Sequence, residues 1–408
     1  MKLKYSVRLS ELLLLLAIGL MSIISLAADF LWVDVFFAFF VFSGIVWFSN
    51  AKSSVHMMCL VGYSTFIFVP VILNGYYFDT GFELFYATSM VAVFFLSRTK
   101  LTSYRPPRQI KKLYLALFAL YSGLIIIFSL AFDGNFASYV ISPCVLFYAL
   151  SLNQNRISQN LLIFCVFLIV FGIYYVFGWS GYGRTVIFGN VIVAVLYFIY
   201  SNNLPLSKFL FAMVPSFASL LLVERKNLTV DSFSMDAVLS DSSVGPYRLA
   251  DTFIENYNIR GFDFYGFLEQ VVFSLASFVP RDLWPSKPYG FGFEYVVRHM
   301  DGYLIDSGHS IASTMIGDHV YYLGWWGLFT GFLMAALVAK MVNYFYNSSK
   351  LGGYAVVIVS CNMMVLLWGG MTSFSARIIF PLIGLIPLWV VYVILQRISS
   401  NHRVIVKG

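Results

Sequence analysis

Apolar residues in this chain come in long runs, not in alternation. The runs are roughly 11–28, 30–49, 55–74, 82–97, 113–132, 138–153, 161–178, 185–201, 208–223, 320–346, 353–371 and 378–396. A helix that crosses a hydrocarbon core needs about 20 mostly apolar residues, and sometimes as few as about 17. The pattern therefore predicts about twelve transmembrane helices. The sixth run is short and contains Pro143. No period-two pattern points to a barrel, and lipid tolerates no open sheet edge, so each span is expected to be helical. The fold class is an all-α polytopic membrane protein with one long external loop containing short helices.

Only residues 224–318 break the series at length. Here 243–246, Ser-Val-Gly-Pro, can start a helix, and 247–257 reads as a short amphipathic one. Residues 264–279 are apolar and aromatic, too short to span and too apolar for a solvated loop. They are expected to lie on the membrane or re-enter it. Pro280, Pro285 and Pro288 then impose a rigid turn. The chain divides into 1–223 with nine spans, the external loop 224–318, and 319–408 with three spans and the C-terminus.

Composition supports this plan. The chain is 60% hydrophobic and 11% charged, whereas a soluble domain is roughly a quarter charged. Residues 1–8 are basic, 12–26 are apolar, and Ser25-Leu26-Ala27 has the look of a cleavage site. A second apolar run starts at Phe30 with almost no spacer, so the first run is read as an uncleaved span. Cys59, Cys144, Cys165 and Cys361 all lie in apolar runs, which predicts no structural disulfide, and no pair has metal-ligand spacing.

Charge fixes an orientation. With a cytoplasmic N-terminus, 17 of the 26 basic residues fall on the cytoplasmic side, with Glu11 as the one acid beside them. The C-terminus is then cytoplasmic too. The net charge of +7 is thereby explained by topology and not by nucleic acid. Nine basic residues remain outside: Arg184, Arg225, Lys226, Arg248, Arg260, Arg281, Lys287, Arg298 and Arg377. Seven are arginine. Topology selects only charge, whereas bidentate recognition of phosphate or carboxylate selects arginine. An anionic, phosphate-bearing substrate accounts for them.

Four motifs carry candidate chemistry. In the first, 279–288 (Val-Pro-Arg-Asp-Leu-Trp-Pro-Ser-Lys-Pro), the prolines fix the backbone and Arg281 and Lys287 can converge on an anion. The same segment reads equally as an interfacial turn whose cations meet lipid headgroups. In the second, His309-Ser310 precedes Gly317-Asp318-His319 and Gly324-Trp325-Trp326-Gly327. His309 is a candidate general base for a sugar hydroxyl, with Asp306 or Asp318 to orient it. A surface or cap histidine is the commoner fate. In the third, 179–185, two glycines place Arg184 at an outer mouth or make a tight anchored turn. In the fourth, Arg377 after 373–376 either snorkels to the interface or faces the bundle and holds a phosphate. Asp34 is isolated within a span, where an interhelical hydrogen bond explains it more simply than an ion path.

Together, 279–288, Gly308-His309-Ser310, Gly317-Asp318 and Gly324 to Gly327 resemble the Wzy-type oligosaccharide repeat-unit polymerases of bacterial surface polysaccharide synthesis. The many spans with one long, late external loop match as well. The related O-antigen ligases carry a His and a nearby Gly-x-x-Gly element, which His309 and Gly324–Gly327 resemble with a longer spacer. The resemblance implies a GT-C-like fold in the bacterial cytoplasmic membrane. It also implies a glycosyltransferase acting on undecaprenyl-diphosphate-linked oligosaccharides, without metal or other cofactor. A chain-length regulator and a flippase are partner proteins that such an enzyme implies. In that frame His309 and Arg281 are the catalytic candidates. Arg184, Arg248, Arg260, Lys287 and Arg377 are the diphosphate- and glycan-binding candidates. An O-antigen ligase of the same fold and a polysaccharide flippase or transporter are the alternatives.

Overall fold

The computed structural model describes residues 9–28, 31–78, 81–99, 111–131, 137–179, 184–221, 247, 249–300, 302, 310–348 and 352–405. Among them there are helices and connecting turns and no strand. Ten described helices precede the polar segment: α1 (Leu9–Ala28), α2 (Leu31–Phe48), α3 (Ser54–Tyr63), α4 (Val69–Phe78), α5 (Phe82–Arg98), α6 (Lys111–Ala131), α7 (Ala137–Ser151), α8 (Ile157–Phe177), α9 (Arg184–Ser201) and α10 (Lys208–Leu221). A π-helical turn, Ser64–Phe68, joins α3 to α4 without a break. The polar segment forms α11 (Ala250–Arg260), α12 (Phe264–Ala276) and α13 (Phe291–His299). The chain ends with α14 (Gly317–Leu323), a 3-10 turn, α15 (Gly327–Ser348) and α16 (Gly352–Ile405).

Each apolar run seen in the sequence thus coincides with a helix, and α16 covers the last two. Among the described residues, six stretches are long and apolar enough to cross a membrane: Leu9–Ala27, Ser54–Tyr77, Lys111–Ala131, Ile157–Phe177, Gly317–Asn347 and Gly353–Pro387. Trp32–Phe48, Val140–Ser151 and Thr185–Ser201 are apolar but shorter. This is the build of a helical membrane protein.

Two elements form the centre. Of the most apolar window in Ser54–Tyr77 and in Gly353–Pro387, 89% is buried, against 11% in α1. They approach closely because small residues face the contact. A Cβ at Gly62 would stand 3.1 Å from the Met364 Cα, and the Ser54 and Ser360 hydroxyls share a 2.9 Å hydrogen bond. Polar side chains also pair across helices inside the bundle, as Tyr63 and Ser89 do. The Tyr86 hydroxyl donates to Asp34 Oδ1 at 3.0 Å, which is the interhelical bond expected for that acid.

Polar contacts also sort the helix ends. Arg98 lies 3.4 Å from Glu11, and Lys208 Nζ donates to the Trp47 and Ser49 carbonyls. Lys111 Nζ donates to the Leu152 carbonyl and Asn153. Asn343 donates to the Arg98 carbonyl at 2.7 Å. One end of the bundle therefore gathers positions that the charge pattern assigns to a common face.

α16 is broken at Gly370, whose φ of 70° and ψ of −167° are not helical. Residues 311–316 run buried beside the break, and the Thr314 amide donates to the Trp368 carbonyl at 2.9 Å. Thr314 itself has a φ of 59°. The amide of a residue outside the helix thus takes up a carbonyl freed by the kink, as a broken helix inside a bundle requires.

Candidate functional site

The polar segment folds on a second, aromatic core. Phe253 of α11, Phe291 and Tyr295 of α13, and Tyr321 and Tyr322 of α14 are all buried. Their rings meet edge-on, with centroids 5.6 Å apart for Phe253–Tyr295, 5.3 Å for Phe291–Tyr321 and 4.9 Å for Tyr321–Tyr322. Such pairs add about 0.5–1.5 kcal/mol each beyond area burial, so three short helices hold one another without a large aliphatic core.

α11 ends at Gly261, whose φ is 75°. The chain then turns at once into α12, whose first turn is capped by Asp263 accepting from the Gly266 amide at 2.8 Å. The helix that the sequence placed at 247–257 is therefore observed three residues later, at Ala250–Arg260. That shift puts Arg260 in its last turn, where a cation suits the helix dipole.

The charged groups sit on this aromatic floor. The Arg260 guanidinium lies over the Tyr321 ring, 4.4 Å from its centroid. His299 Nε2 is 2.7 Å from the Tyr321 hydroxyl. Arg298 pairs with Glu294 one helical turn away. Glu294 is buried beneath them, 9% exposed, while Arg260, Arg298 and His299 are exposed. The Tyr322 hydroxyl donates to Glu294 Oε2 at 2.9 Å, and Gln270 of α12 donates to the same atom at 2.5 Å. Burial pushes the Glu294 carboxyl up, partly offset by the Tyr322 bond and by Arg298. Burial also pushes the His299 imidazole down, and Arg260 and Arg298 push it further. The result is a cationic surface over aromatic rings, with one carboxylate underneath to orient Arg298.

The proline hairpin is built differently from the sequence expectation. Arg281 donates from Nη1 to the Lys287 carbonyl at 2.7 Å and from Nη2 to the Pro288 carbonyl at 3.0 Å. Its guanidinium lies 3.8 Å from the Tyr289 ring centroid. Lys287 is buried and donates to the Ser277 and Val279 carbonyls at 3.2 and 2.6 Å. Arg281 and Lys287 do not converge on an open anion site. Their donors close the hairpin and satisfy carbonyls past the end of α12, which proline-rich backbone leaves without amide partners.

The remaining candidates are scattered. Arg377 is partly buried on α16, past the break, and acts electrostatically on Tyr174 of α8. Arg184 opens α9, and its side chain lies outside the described residues, as do Arg248 and His309 entirely. Asp318 and His319 are 3% and 4% exposed. His319 Nδ1 is 2.8 Å from the Thr330 hydroxyl. A Cβ at Gly370 would lie 3.3 Å from the Asp318 carboxylate oxygens. That carboxylate therefore faces the helix break.

Of the four catalytic or binding candidates from the sequence whose side chains are described, Arg260 falls on the aromatic cluster, and Arg281, Lys287 and Arg377 do not. Glu294, Gln270, Tyr322 and His299 are additions from the structure. A trace of them was legible: Glu294 and Arg298 are spaced for an i,i+4 pair, and His299 follows in the last turn. Comparisons with family models, curated proteins and solved structures give no match.

Proposed function

We propose that this protein is a glycosyltransferase of the outer face of the bacterial cytoplasmic membrane, joining undecaprenyl-diphosphate-linked oligosaccharide repeat units into surface polysaccharide. The observation that carries this reading is exposed Arg260 over the Tyr321 ring, together with exposed Arg298 held by Glu294 of the same aromatic cluster. Guanidinium groups bind phosphate oxygens bidentately, and aromatic faces suit sugar rings as well as cations. A membrane-embedded bundle beside such a site suits a substrate with a lipid tail and a charged, sugar-bearing head. The reading includes about twelve crossings, a GT-C-like plan, and cytoplasmic termini. The grouping of residues 11, 49, 98, 111, 153, 208 and 343 at one bundle end supports that orientation.

In the proposed step, a hydroxyl of the fresh unit attacks the anomeric carbon of the growing chain. The bond from that carbon to the carrier diphosphate breaks, and the electron pair leaves with undecaprenyl diphosphate. Arg260 and Arg298 stabilise the charge that develops there, and such fixed charges usually contribute most of the rate enhancement in a transfer of this kind. His309 takes the proton of the attacking hydroxyl. Arg184 and Arg377 are assigned to the diphosphate of the second carrier. The test is the lipid-linked glycan profile of a deletion strain. Intact single repeat units are expected to accumulate. Long unligated chains would point to a ligase, and units held on the cytoplasmic face to a flippase.

A further inference from the structure

α12 is built inside out. Its outward positions are Phe264, Tyr265, Leu268, Val271, Val272 and Leu275, which are between 39% and 75% exposed. At 100° per residue these six fall on one face. The opposite face carries Gly266, Gln270 and Ser274, and these are the buried positions of the helix. A helix against water would turn the other way. Six outward apolar side chains on 13 residues need an apolar surrounding. At about 1.5 Å per residue the helix is about 20 Å long, too short to cross a hydrocarbon core of about 30 Å.

The surroundings identify what covers it. The Asp263 amide, at the start of α12, donates to the Tyr322 carbonyl at 2.9 Å. Gly266 packs on the Tyr322 ring. Two residues past Tyr322 the chain enters Gly324–Trp326, then α15, which lies in a stretch able to cross a membrane. Trp325, Trp326 and Phe329 there are 48%, 71% and 70% exposed. The apolar face of α12 thus begins beside the exposed aromatic residues around the start of α15, inside the candidate span Gly317–Asn347. Trp and Tyr at that position mark the boundary between headgroups and acyl chains. The hairpin that follows α12 is stiffened by Arg281 and Lys287, which hold its backbone as described above.

We propose that α12 lies in the plane of the bilayer, with its Phe264–Leu275 face in the acyl boundary of one leaflet. The partner is the lipid surface. One consequence is geometric. Gln270, on the inner face of the same helix, donates to Glu294. A helix is about 10–12 Å across, so the Glu294–Arg298 pair stands about one helix diameter above the acyl boundary, at the level of lipid phosphates. This holds whatever reaction the site performs, and it requires no polymerase.

The test uses the full chain in dioleoylphosphatidylcholine vesicles, with the exposed Cys165 replaced by Ser. Leu268→Cys and Leu275→Cys, two helical turns apart on the outer face, each carry a nitroxide label in separate samples. Collision with oxygen and with a water-soluble nickel chelate is read by power saturation. Oxygen access with exclusion of the chelate at both sites is the expected result. Strong collision with the chelate at both sites would place the face in water and overturn the proposal. Low collision with both reagents, together with dipolar broadening that vanishes on dilution with unlabelled protein, would show a second copy covering the face and overturn it equally. Val271→Cys, on the same face, replaces either site if a labelled variant fails to fold.

Discussion

Arginines that carry positive charge on one segment divide into two kinds by what their donors do. Arg281 directs two N–H groups at backbone carbonyls and its face at Tyr289. Arg281→Ala leaves those carbonyls without partners, at about 1–3 kcal/mol. Thermal unfolding of the purified variant should reveal that loss, and Arg281→Lys should restore little of it, because a single ammonium cannot span both carbonyls. Arg260 and Arg298 are exposed and held by a ring and a carboxylate. Arg260→Ala should leave the unfolding midpoint nearly unchanged, whereas Arg298→Ala also strands the buried Glu294 carboxyl and should lower it. Each should cut chain extension by roughly ten- to a hundredfold, the value of about 1.5–3 kcal/mol for a charge-assisted bond. Equal loss of stability and activity in all three variants would undo the distinction. His299 gives a pH signature. Its imidazole is held below the usual 6.5 by burial and by both arginines. Below pH 6.5 the unfolded chain takes up a proton that the folded chain resists. Stability therefore falls as pH drops through the window between 6.5 and the lowered folded value. His299→Asn should flatten that slope in denaturation measured from pH 7 to 5.

Among the elements, helices were legible because run length and apolarity alone demand them in lipid. Even the weakest run, with Pro143, forms α7. What the sequence hid is which face of an element turns where. Residues 264–279 are visibly apolar, yet only the fold shows the apolar side pointing out and Gln270 pointing in. Glu294 does not stand out in sequence because its partners Gln270 and Tyr322 come from 24 and 28 residues away. Arg281 and Lys287 showed their charge but not the carbonyls that occupy them. The break in α16 was not legible, because Gly370 lies inside the run 353–371, ahead of the gap between the last two runs. At Gly370 a side chain would meet the Thr314 carbonyl at 3.2 Å in a left-handed backbone. Gly370→Ala should cost about 1–3 kcal/mol from backbone geometry alone. Its folded yield in detergent should fall well below that of Gly384→Ala, where a Cβ meets nothing within 4 Å.

At the scale of the molecule, a buried two-helix centre carries peripheral helices, and one polar segment folds as an aromatic cap with its own small core. The cap is tied to the bundle through α14 and to the break in α16 through 311–318. That arrangement places a cationic, ring-lined surface beside a membrane bundle, which is what a lipid-linked, diphosphate-bearing glycan requires. The proposed role of this surface is transfer between two such lipids. It is tested most directly by purified protein in sealed vesicles, given undecaprenyl-diphosphate-linked repeat units and no ion gradient, nucleotide or partner protein. The expected product is a ladder of longer lipid-linked glycans, diminished at least tenfold by Arg260→Ala. Substrate that stays as single units, whether left in place or moved across the bilayer, would contradict that role.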